Sequence, residues 1–179
     1  TDQPVKKAHL QEVASFCTAI EVYRQRWSGI AWHMLTSWLQ GWPLQMGYYY
    51  HPAALRQLRQ FADHVQPDQL YFQLLRTARY AKAFPERPKT LDYMDAFAAG
   101  MQRRAKNTKG PVRWIWQLEY QRLKQQEEAV FPWFDRHTVI TKQDQQLIHH
   151  PDNEQIKVIS NGIDLQYFQL PDPSPEKDV

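Results

Sequence analysis

The sequence predicts an α/β protein built on a parallel sheet with helices on both faces. Short β-branched or apolar runs at 18–23, 69–73, 89–93, 137–141 and 156–159 alternate with segments of helical periodicity, the pattern that parallel sheets require. A chain of 179 residues, 42% hydrophobic and 13% aromatic, is long enough to bury one sizeable core despite twelve prolines. The last run, Ile156 to Ile159, reads as a buried strand halted by Asn161-Gly162, residues that tolerate positive φ and turn the backbone sharply.

Taken in order, residues 5–16 place Leu10, Val13 and Ala14 on one helical face behind an Asp2/Pro4 start signal. Residues 18–23 suit a strand. Residues 24–40 carry Trp27, Ile30, Met34 and Trp38 at helical spacing, and Gly41-Trp42-Pro43 ends that helix before an aromatic connector, 44–50. His51-Pro52 opens a helix whose inward stripe is Leu55, Leu58, Ala62 and Val65. A strand at 69–73, a short helix at 75–82 and a strand at 89–93 follow. A helix then runs from Asp95, a candidate N-cap, to about Asn107. Lys109-Gly110-Pro111 stops it. The next helix reaches about Trp133, with a stripe of Trp116, Tyr120, Leu123, Val130 and Phe134 interrupted by Glu127. A strand at 137–141 and a helix at 143–149 lead to the last strand. After it, Asp164 is a local cap, Tyr167-Phe168 an anchor, and Pro171 the end of regular structure.

Composition excludes several classes. A net charge of +3 is too small to argue for nucleic acid. No run of about 18 apolar residues or signal-peptide pattern is present, which suits a cytoplasmic location. Cys17 has no disulfide partner and reads as a buried small hydrophobe. His149 and His150 are adjacent and no H-x-x-x-H pair exists, so no metal site is expected. The six glycines form neither a G-x-G-x-x-G nor a P-loop, and no G-x-S-x-G is present.

The stretch Val158-Ile159-Ser160-Asn161-Gly162-Ile163-Asp164 through Phe168 to Pro171 resembles the I-P-N-G-V-D-x-x-x-F-x-P signature of GT-B glycosyltransferases of the family 4 (group 1) type. Phe134-Asp135 through Thr141 to Asp144 is similar to the family's F-D-x-x-x-x-x-S-x-x-D passage, and the segments 89–97, Arg113-Trp114 and 119–128 extend the likeness over nearly the whole chain. Ser160 stands where Pro is usual, and Thr141 where Ser is usual. The resemblance is closest to bacterial exopolysaccharide sugar transferases. It implies a Rossmann-like half of a GT-B fold that takes a sugar from a nucleotide-sugar donor to a polysaccharide or lipid-linked acceptor, with no metal or other cofactor. It divides the chain into a partial N-terminal domain, 1–170, and a polar linker, 171–179, with Asn161, Gly162 and Asp164 at the hinge. Measured against the family, the first two strands, the glycine-containing loop and the C-terminal donor domain are absent, so the chain reads as a fragment. The strands at 18–23 and 69–73 are then expected not to pair with each other.

In open parallel sheets ligands bind beyond the carboxyl ends of the strands. That rule selects Gln73 and Arg76, Asp92 and Asp95, and Lys142 and Asp144. The resemblance implies a catalytic role for Asp95, where many relatives carry His, while the strand-end rule makes Gln73, Arg76 and Asp92 the candidates for substrate contact. Residue type alone reads Asp95 as an N-cap and Arg76 as either a phosphate clamp or a solvated helix arginine. The Trp/Arg helix at 24–40 has two readings, a peripheral contact with a membrane surface or a stripe packed on the sheet. The rival to a transferase is a non-catalytic binding module that keeps the Rossmann-like shell without a donor domain.

Overall fold

The computed structural model describes residues 5–162. Four parallel strands form one sheet in sequential order: β1 Leu70–Gln73, β2 Lys89–Asp92, β3 Arg136–Val139 and β4 Lys157–Val158. Helices α1 Lys7–Ala14, α2 Trp27–Leu39, α3 Leu44–Tyr49 and α4 Pro52–Val65 precede the sheet. The 3₁₀ helix Leu75–Ala83 joins β1 to β2, α5 Phe97–Asn107 and α6 Val112–Val130 join β2 to β3, and α7 Lys142–Leu147 joins β3 to β4. This is the α/β architecture that the alternating pattern predicts.

Register explains where the core sits. Phe72, Leu91 and His137 are aligned across β1, β2 and β3 on one face, and the flanking rows, Tyr71 with Thr90 and Gln73 with Asp92 and Thr138, project to the other. The first face meets α5 and α6 through Ala98, Met101, Leu123 and Val130, and Leu75, Ala78 and Ala81 of the 3₁₀ helix close the same cluster. Glu127 interrupts the α6 stripe as the sequence suggests, and it is completely buried there.

Helix ends follow local chemistry. Gly41 adopts φ 83° and ends α2 in the left-handed conformation that glycine permits, whereas α5 ends at an extended Thr108 and Gly110, at φ 73°, turns the chain into α6. His51 caps α4, its Nδ1 accepting from the Ala53 amide at 3.2 Å, with Pro52 in the first turn.

Several expectations are corrected. Residues 18–23 form no strand: a β-branched run becomes one only when a neighbour supplies hydrogen bonds, and none pairs with it among the described residues. It therefore does not pair with β1, an edge strand. Residues 44–49, read as a connector, form α3, because Pro43 opens a helix here and Gly47 lets it lie against α2; a Cβ at Gly47 would stand 2.8 Å from Cβ of Ser37. The final strand is the two-residue edge Lys157–Val158; Ile156 just before it is buried, but Val158 and Ile159 are exposed. Asn161 and Gly162 are exposed and neither takes a positive φ. Cys17 is exposed, since residues 15–20 pack on nothing that would bury it. The stripe on α2 splits, Ile30 packing inward with α3 while Trp27 faces out. Asp164, Tyr167-Phe168, Pro171 and the 171–179 segment lie outside the described residues.

Candidate functional site at the carboxyl ends of the strands

The strands β1 and β2 each end in a strained residue. Leu74 has φ 73° and Met94 has φ 63°, a region that bulky side chains rarely enter. At Met94 the amide of Asp95 donates to the Tyr93 carbonyl at 2.7 Å, closing a three-residue γ-turn. Asp92 holds that turn: Oδ1 accepts from the Met94 amide at 3.1 Å and Oδ2 from the Tyr71 hydroxyl at 2.7 Å. Asp92 is buried, and both its carboxylate oxygens are engaged. Its place in the site is that of a support beneath the turn.

The turn sets Asp95 at the surface directly before α5. Asp95 is not the cap that its residue type suggests, because the N-cap position falls on Ala96, whose side chain has no group to cap with. Residues distant in sequence satisfy the helix start. Asp144 Oδ1 accepts from the Ala96 amide at 3.2 Å, and Glu127 Oε1 accepts from the Ala98 amide at 3.1 Å. These two carboxylates stand at the positive end of α5, where the helix dipole favours negative charge. The Asp95 carboxylate makes no hydrogen bond among the described residues. Its pKa is raised above the ordinary aspartate value, first by partial desolvation and then by the charge of Asp144, against the opposing pull of Arg76 and Arg103.

Gln73 and Arg76 approach from the β1 end. Gln73 is exposed and points its Nε2 at the Met94 sulfur, 3.3 Å away. Arg76 lies between two rings, its guanidinium carbon 4.9 Å from the Tyr49 centroid and 5.2 Å from that of Phe97, and Nη1 donates to the Tyr49 hydroxyl at 3.3 Å. No carboxylate lies within salt-bridge distance of it among the described residues. A planar cation held by two aromatic faces and free of an acidic partner can receive an anion or a polyol. Thr141 and Asp144 complete the rim from β3, exchanging hydrogen bonds in a reciprocal cap of α7.

The structure thus brings Gln73, Arg76 and Asp95 to one edge, with Asp92 beneath them. Asn161 and Gly162 follow β4 as an exposed segment. Tyr49, Phe97, Arg103 and Glu127 join the site without having been singled out for it. Only Glu127 left a trace in the sequence, as a carboxylate in an apolar stripe. Among the described residues no group of three or more His, Cys, Asp or Glu is arranged to hold a metal ion. No helix there is long and apolar enough to cross a membrane. A separate apolar pocket of about 260 Å³ lies between Tyr23 and α4, and it contains none of the strand-end residues.

No protein-family model, curated protein or solved structure matches the chain.

Proposed function

We propose that the chain is the acceptor-side half of a GT-B glycosyltransferase, transferring a sugar from a nucleotide-sugar donor to a polysaccharide or lipid-linked acceptor at the cytoplasmic side of a membrane. The observation that carries this reading is Asp95: a surface carboxylate with raised proton affinity, set by a strained turn at the carboxyl edge of a parallel sheet and relieved of capping by Asp144 and Glu127. Carboxylates in such positions bind sugar hydroxyls and accept their protons. Arg76, steadied by Tyr49 and Phe97, offers its fork to a phosphate or a glycan hydroxyl, and Gln73 supplies a neutral donor beside it. The motif resemblance assigns the diphosphate of the donor to a second domain following the Asn161-Gly162 hinge, so catalysis needs closure of the two halves to bring reacting atoms within roughly 3–3.5 Å. The reaction in this reading uses no metal and no other cofactor.

The test is transfer of labelled sugar from a panel of nucleotide-sugars to lipid-extracted acceptors. The reading predicts activity from the reading frame that joins these residues to a donor domain and none from the 179-residue chain alone. Transfer by the isolated chain would place a donor site within it. Inactivity of the longer protein toward every donor would favour the binding-module reading.

A further inference from the structure

Residues 5–22 are exposed except for Val5 and Leu10, which are half-buried, and α1 buries none of its own side chains. The chain then engages the body at Tyr23, which is half-buried and places its hydroxyl 2.9 Å from His51 Nδ1. Glu21 and Tyr23 form one wall of the apolar pocket of about 260 Å³, while Ala54, Leu58 and Phe61 of α4 and Tyr80 of the 3₁₀ helix form the other.

His51 is a junction whose protonation state is fixed by its partners. The same Nδ1 accepts from the Ala53 amide at 3.2 Å and so caps α4. A backbone amide only donates, so Nδ1 carries no proton and the neutral ring keeps its proton on Nε2. The His51 amide donates to the Tyr80 hydroxyl at 2.8 Å, and that hydroxyl donates to the Tyr49 carbonyl at 2.8 Å, which anchors the backbone of His51 but not its ring. A proton added at Nδ1 would set one N–H against another. The ring would then have to turn away from the cap and from Tyr23.

Its surroundings give that added charge nowhere to settle. The ring of His33 on α2 stands edge-on to it at 4.4 Å, Arg56 acts on it from α4, and Tyr23 and Tyr80 present hydroxyls. Glu21 is the acidic residue at the pocket wall, but no carboxylate lies within salt-bridge distance of His51 among the described residues. Burial, then His33, then Arg56 lower the pKa of His51 below the ordinary 6.5. Burial, and then Arg79, lower that of His33.

We propose that His51 is an acid-released latch, holding residues 5–23 on α4 through Tyr23 and letting them go when its ring is protonated. The docked state favours the neutral ring, so docking is complete above about pH 6.5 and is lost as pH falls through the lower docked value. Release removes one wall of the pocket and bares Leu58 and Phe61, while the sheet and its carboxyl edge stay in place. The proposal does not depend on the transferase reading.

The experiment is a nuclear magnetic resonance titration of the 179-residue chain from roughly pH 8 to about pH 5, an interval that spans histidine ionisation. It follows the His51 ring nitrogens and the heteronuclear Overhauser effects of the amides at 21–25. At the upper end His51 should be the neutral tautomer protonated on Nε2. The amide values at 21–25 should fall by about half on acidification, as expected for a segment gaining fast motion, with the same midpoint as the His51 ring. His51→Asn, which keeps a capping acceptor but cannot titrate, should abolish the pH step. Tyr23→Phe should leave the segment mobile at every pH, with the α4 cap intact. His64→Gln, at an exposed histidine in the last turn of α4, should behave as the parent does. Amide values that stay constant through the His51 titration, a pH step that survives in His51→Asn, or a neutral ring protonated on Nδ1 would overturn the proposal. So would loss of the native circular dichroism spectrum at the same midpoint, since the change would then be unfolding of the whole chain.

Discussion

The buried carboxyl of Glu127 joins α6 to His149: Oε2 lies 3.1 Å from both the backbone amide and the ring Nδ1 of His149, while Oε1 caps α5 at Ala98. One side chain, with no exposure to solvent, thereby ties the start of α5 to the segment leaving α7. Glu127→Ala leaves these donors unpaired in the interior and opens a cavity, so it should cost about 3–5 kcal/mol in urea unfolding. Glu127→Gln keeps an acceptor for Ala98 but turns its amide toward two donors, and should cost about 1–3 kcal/mol. Equal, negligible losses in both would contradict the network.

Gly47 is a packing requirement. An added Cβ would lie 2.8 Å from the Ser37 Cβ and 3.1 Å from the His33 carbonyl oxygen, neither of which can swing away. Gly47→Ala should therefore destabilise by about 1–3 kcal/mol although alanine is the better helix former. A thermal midpoint at or above that of the parent would show that α3 can move off α2 freely.

Acid should weaken the fold through His137. Its ring is buried and stacked on Phe131 at 3.8 Å, with Nδ1 unpartnered among the described residues. Burial, and then the neighbouring His150, lowers its pKa to about 4 from the ordinary 6.5. The unfolded chain takes up the proton first as pH falls, so this contribution to stability is complete above about pH 6.5 and is lost toward about pH 4, about 3 kcal/mol at most. His33 and His51 are lowered by burial as well and act in the same direction. His137→Phe should show a visibly shallower loss of unfolding free energy over that interval than the parent. Parallel pH profiles would contradict the assignment.

The sheet and most helices were legible because hydrophobic period and glycine or proline stops are local signals. Gly41 ends α2 as read, the break at Lys109-Gly110-Pro111 separates α5 from α6, and β1, β2 and β3 fall within a residue or two of their expected bounds. Residues 18–23 misled because strand propensity is realised only beside a partner. The site was half legible. The strand-end rule reached Gln73, Arg76, Asp92 and Asp95, but the work of each depends on tertiary neighbours. Asp95 lost its expected capping role to Asp144 and Glu127, and Asp92 is occupied by Tyr71 and Met94. Tyr49 and Phe97 join Arg76 from separate helices, which no spacing rule foretells.

The most direct test of the account is Asp95→Asn in the longer two-domain protein that the proposed function requires, with sugar transfer and unfolding followed on the same preparation. Because Asp95 caps nothing and lies at the surface, the substitution should leave the unfolding midpoint unchanged. Turnover should fall by about a hundredfold or more if the carboxylate holds and deprotonates a sugar hydroxyl. Unchanged turnover with an unchanged midpoint would contradict the claim that the carboxyl edge around Asp95 is the reaction centre.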